Sequence, residues 1–104
     1  MTRISFKMHL LPGFQLEYVA RHNAIWPELK ELLIQTGVLE YYIYLDEDNN
    51  DLFGIMKVID GTTLNDLPNH PVMKKWWKYM SDIMETNPDL SPKQVQLKEV
   101  FCLM

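Results

Sequence analysis

Arg3-Ile4-Ser5-Phe6-Lys7-Met8-His9-Leu10 is the stretch that decides how this chain folds. Ile4, Phe6, Met8 and Leu10 fall on one side of an extended backbone, and Arg3, Ser5, Lys7 and His9 fall on the other. That period of two marks a strand with one buried face. Pro12-Gly13 then punctuates the chain. From Phe14 to Thr36 the period becomes helical, with Leu16, Val19, Leu29, Leu32 and Leu33 available for apolar stripes. Pro27 cannot sit quietly inside one long helix, because it lacks an N–H and its ring crowds the preceding turn. The pattern therefore predicts a helix to about His22, a break over residues 23–26, and a second helix restarting at Pro27. A fixed φ suits the first helical position, and Gly37 stops the second helix.

Working outward, residues 38–45 form a β-rich run with three tyrosines, and residues 52–59 form another. The polar tract Asp46-Glu47-Asp48-Asn49-Asn50-Asp51 between them reads as a hairpin tip. Asp60-Gly61 ends the second run. A short helix over about residues 62–67 follows, then a turn bracketed by Pro68 and Pro71, a helix over about 72–84, and a non-helical excursion through Asn87-Pro88-Asp89 and Ser91-Pro92. Residues 95–103 are expected to close the chain as a last strand. The order strand, helix, strand, strand, helix, strand predicts an α+β, ferredoxin-like fold, a four-stranded antiparallel sheet with helices on one face. Residues 1–104 make one domain, since a chain this short cannot build two cores. The opposite sheet face has no helices left to cover it, so a face-to-face homodimer is expected.

The surface argues against several classes of function. Fourteen acidic residues against ten basic ones give a net charge of −4, which offers no cationic field to a phosphate backbone, so no nucleic acid partner is expected. No apolar stretch approaches the roughly 20 residues that span a bilayer, and the N-terminus lacks the features of a signal peptide. Cytoplasm is the expected location, and no membrane partner is expected. The single cysteine, Cys102, excludes an intrachain disulfide framework. Its place in Val100-Phe101-Cys102-Leu103-Met104 suggests a small buried residue. His9, His22 and His70 lack metal-ligand spacing, and no glycine-rich phosphate loop or nucleophile elbow is present. Neither a metal nor a cofactor is therefore expected.

What remains is a concentration of aromatic and hydroxyl-bearing side chains. Tyr18 and His22 lie four residues apart and share a helix face, with Arg21 beside them and Trp26 able to fold back from beyond the break. A phenol, an imidazole and an indole suit an uncharged polyhydroxylated ligand, because aromatic faces cover its apolar ring surface and polar tips bond its hydroxyls. A surface histidine on an amphipathic helix is the plainer reading. Tyr41 and Tyr42 point to opposite sides of their strand, and spacing alone does not choose between them. Trp76 and Trp77 must lie about 100° apart on a helix, so one can serve the core while the other faces a cleft.

These blocks together resemble the L-rhamnose mutarotase family. The matching segments are Tyr18-Val19-Ala20-Arg21-His22-Asn23-Ala24-Ile25-Trp26-Pro27-Glu28-Leu29, Tyr41-Tyr42-Ile43-Tyr44-Leu45-Asp46, Trp76-Trp77-Lys78-Tyr79-Met80, Asn87-Pro88-Asp89 and Glu99-Val100-Phe101. They occur in order, with matching spacing along the whole chain. The resemblance implies a cytoplasmic dimeric α+β barrel that equilibrates the α and β anomers of L-rhamnose or a closely related monosaccharide. It implies that His22 is the proton donor and that Tyr18, Tyr41, Trp76 and Trp77 bind the sugar. This chain departs from other members at Glu40 and Leu64, neither of which is one of those positions.

Mutarotation opens a hemiacetal, turns the C1 aldehyde and closes it from the other face. It needs proton transfer and no redox step. Positioned acid–base groups typically contribute about 10²–10⁴ in rate, which suits a reaction that already proceeds in water. A histidine titrating near neutrality can occupy both proton states. The competing readings are a monooxygenase or haem-handling protein on the same small barrel and a non-catalytic sugar-binding module.

Overall fold

The computed structural model describes residues 1–103. Strands β1 (Thr2–His9), β2 (Val38–Asp46), β3 (Asp51–Val58) and β4 (Val95–Gln96) form one sheet in the order β2-β3-β1-β4. Every neighbouring pair is antiparallel. Helices α1 (Gln15–Asn23), α2 (Pro27–Gln35) and α3 (Pro71–Met80) pack on one face. This is the α+β arrangement expected from the alternation of periods along the chain.

The local chemistry explains the boundaries. Pro27 and Pro71 each open a helix, where the missing N–H costs no internal hydrogen bond. Gly37 has a φ of 93°, the left-handed turn that releases α2 into β2. Its carbonyl accepts from the Ile59 N–H at 2.9 Å, which ties that turn to the end of β3. Asp60 then accepts from the Thr62 N–H and starts a 3-10 turn over Gly61–Leu64, with a second over Leu67–Asn69. These two turns stand where one short helix was expected.

The core follows the alternation of β1. Phe6, Met8 and Leu10 are buried, joined by Leu52, Met56 and Val58 from β3. Leu29 and Leu32 of α2 and Met73, Trp76 and Met80 of α3 close over them. One close approach depends on a missing side chain. Phe6 pairs with Gly54 across the ladder, and a β-carbon on Gly54 would lie 2.4 Å from Phe6 Cζ. The Phe6 ring therefore occupies the space above Gly54 and reaches Tyr41 on β2, with ring centroids 6.1 Å apart.

Several sequence expectations change. Leu16 and Val19 do not form a core stripe but are 88% and 51% exposed, because α1 turns Tyr18, Arg21 and His22 toward the protein instead. Helix α3 stops at Met80 rather than near Met84. Ile83 and Met84 are still buried, since the chain straightens there and bonds the end of β1 through Leu11 N–H to Ile83 C=O at 2.8 Å. The last strand shrinks to Val95–Gln96. Beyond it the described chain makes one further backbone bond to the sheet, from Leu97 N–H to Ser5 C=O. Cys102 is consequently exposed and not buried, because no layer covers the segment that carries it.

Overpacking the Phe6–Gly54 contact tests this account of the core. Gly54→Ala should destabilise the protein by ~1–3 kcal/mol, read as a lower urea midpoint. Combining it with Phe6→Leu should cost less than the two single losses added together, because the smaller side chain vacates the space. Wild-type stability in Gly54→Ala would show that Phe6 moves aside freely.

Candidate active site

The five side chains singled out in the sequence come together. Tyr18 and His22 of α1, Tyr41 of β2, and Trp76 and Trp77 of α3 all line one cleft between the sheet and the helices. Met56, Met73, Leu64 and Leu67 complete its apolar walls. No pattern in the sequence marked Met56, Met73 and Leu67 for the cleft, and Leu64 stood out only as a departure from other family members, since all four are ordinary core residue types that only the tertiary fold brings there.

Each aromatic takes a defined place. Tyr18 is buried and its ring lies 4.3 Å from the His22 ring. Trp76 is buried and meets His22 edge-on, with centroids 5.5 Å apart and planes at 89°. Trp77 is half-buried, so the tandem pair divides as the helical offset requires. Trp26 packs outside the cleft against Trp76 at 5.1 Å and Tyr79 at 5.5 Å, supporting the wall from behind. Tyr41 faces inward because the β2–β3 ladder slips one residue between Val38 and Glu40. Val38 pairs with Val58 and Tyr41 with Met56, so both point toward the helices. Without that bulge Tyr42 would take the inward position.

The electrostatics follow from burial. His22 Nδ1 lies 3.0 Å from the Tyr18 carbonyl oxygen. A carbonyl can only accept, so Nδ1 carries the proton and, in the neutral ring, Nε2 holds the free lone pair. Desolvation holds the His22 pKa below its ordinary 6.5, and the hydrogen bond to Tyr18 only partly offsets this. The ring is therefore neutral at pH 7. Burial also pushes the Tyr41 phenol well above the usual tyrosine range. Tyr18 is raised in the same direction by burial first and by neighbouring Tyr41 second. Both phenols therefore remain protonated and neutral. Among the described residues, no group of three histidine, cysteine, aspartate or glutamate side chains is arranged to hold a metal ion.

Fold and site together define a small α+β protein with an aromatic-lined cleft that holds a neutral histidine and two protonated phenols. The family model for L-rhamnose mutarotase matches residues 3–103. The chain belongs to the L-rhamnose mutarotase family. An L-rhamnose mutarotase of Flavobacterium johnsoniae is 52% identical over 101 residues, covering 97% of this chain and 94% of that protein. A crystal structure of an L-rhamnose mutarotase from Formosa agariphila aligns with a TM-score of 0.94 and 46% identity over the whole of both chains. An antibiotic biosynthesis monooxygenase aligns with a TM-score of 0.62 at 14% identity, covering 96% of this chain and 99% of that one. That second likeness extends to the fold alone.

Proposed function

We propose that the protein interconverts the α and β anomers of L-rhamnose, with His22 as the proton-transfer residue. The observation that carries this reading is the fixed tautomer of a desolvated His22 among Tyr18, Tyr41, Trp76 and Trp77. The indoles cover the apolar face and methyl group of the sugar, while the phenols hydrogen-bond its hydroxyls. O1 and the ring oxygen are bonded to the same carbon, so one nitrogen can serve both. Neutral Nε2 accepts the O1 proton as C1=O1 forms and C1–O5 breaks, and the imidazolium delivers that proton to O5. After C1 turns, the two transfers run in reverse and close the other anomer. His22 is thus the proton donor in the second half of each direction and the base in the first, and no electron or other proton leaves the site.

A monooxygenase reading rests on fold similarity alone. Freshly dissolved α-L-rhamnose should approach anomeric equilibrium faster with purified protein than in buffer, followed by polarimetry or anomeric-proton NMR. His22→Ala should stay folded and lose about 10²–10⁴ of the acceleration. Tight sugar binding without acceleration by the wild type would favour a binding module, and undiminished His22→Ala would reject His22.

We propose also that the outer sheet face meets a second copy, giving the dimeric barrel. Tyr42 and Tyr44 stack there with ring centroids 6.5 Å apart and are more than half exposed, and Ile55 beside them on β3 is 37% exposed. The C-terminal segment adds exposed Val100, Phe101 and Leu103. Light scattering at micromolar concentration should give the mass of two chains. A single-chain mass would overturn the dimer.

A further inference from the structure

Helix α1 carries Tyr18 and His22, yet it is thinly anchored. Tyr18 is its one buried residue, and no side chain caps its N-terminus. Arg21, one residue before His22, supplies the missing attachment. Its side chain is only 10% exposed. Nε donates to Glu17 Oε1 at 2.8 Å, and Nη1 donates to the Tyr79 carbonyl at 2.7 Å and to Asp82 Oδ1 at 2.8 Å. Nη2 reaches Asp82 Oδ2 at 3.2 Å, and the guanidinium carbon stands 4.4 Å above the centre of the Tyr79 ring. Tyr79 touches Trp76, and Trp76 meets the His22 imidazole.

Charge attraction alone does not explain this arrangement, because Glu17 and Asp82 are themselves exposed and surface pairs contribute little. Geometry does. A planar fork engaging a carboxylate through two nitrogens, with a backbone carbonyl and a ring face fixed at the same time, defines direction as well as distance. We propose that Arg21 is a positioning residue for the reaction: by tying α1 to the end of α3 it sets the His22 ring against Tyr18 and Trp76. This rests on the reading of His22 as the proton-transfer group. Lysine keeps the charge but cannot reproduce the fork, so Arg21→Lys isolates the geometric role.

Two readouts on folded protein test the clamp. The Hε1 and Hδ2 resonances of His22 are shifted by the Tyr18 and Trp76 rings and report ring placement directly. In Arg21→Lys they should move toward the positions of free histidine. In the same variant kcat for anomer exchange should fall about tenfold or more with KM within about threefold of wild type, since small displacements of a reacting group are costly. Asp82→Asn, which keeps Arg21, should show the same pattern to a smaller degree and serves if Arg21→Lys folds poorly. Unmoved resonances, or moved resonances with unchanged kcat, would overturn the proposal. The resonances read the clamp whether or not His22 transfers protons, whereas a fully active His22→Ala would fail the proton-transfer assignment by itself.

Discussion

A one-residue slip at Leu39 in the β2–β3 ladder determines what each side of the sheet can do. Side chains alternate along a strand, so a single extra residue exchanges the two faces for everything beyond it. Here it sends Tyr41, Ile43 and Leu45 toward the helices and leaves Tyr42 and Tyr44 on the outer face. Tyr41 then meets the Phe6 ring, which fits only because Gly54 has no side chain. One phenol in the cleft and two on the free face are consequences of the same slip.

Around His22, Tyr18 and Tyr41 the cleft assembled on that register is apolar and largely shielded from solvent. Desolvation disfavours ions, so it keeps His22 unprotonated and both phenols protonated. Neutral hydrogen-bonding groups among aromatic rings are the surroundings that the proposed sugar substrate requires. The proton shuttle it supports requires modest acceleration of a reaction that water already performs. In the proposed reaction geometry therefore matters more than charge, and the tautomer set by the His22–Tyr18 hydrogen bond is the geometric element proposed to direct proton transfer.

Much of this was legible in the residues. The alternation from Arg3 to Leu10, the restart at Pro27 and the hairpin around residues 46–51 all reflect local chemistry, and each has its counterpart in the structure. Tyr18 and His22 at helical spacing, and the offset of Trp76 from Trp77, likewise needed only the geometry of one helix. What was not legible depends on contacts between distant segments. The bulge at Leu39 has no local signature, so the choice between Tyr41 and Tyr42 came from family resemblance alone. The inward turn of Arg21 depends on Asp82, 61 residues away, and leaves Leu16 and Val19 outside. The apolar run after Gln96 resembles a buried strand by composition, but the described chain gives it no layer to pack under.

The pH dependence of kcat for L-rhamnose anomer exchange, corrected for the uncatalysed rate, tests most directly whether neutral His22 begins the reaction. The His22 pKa is lowered from 6.5, so the active, unprotonated form predominates at neutral pH and disappears as the solution is acidified through that lowered value. The rate should be flat around neutrality and fall on the acid side with the slope of a single proton, its midpoint below 6.5. His22→Ala should lack that limb. A wild-type rate that rises on acidification, or an acid limb centred at neutral pH or above, would contradict the account.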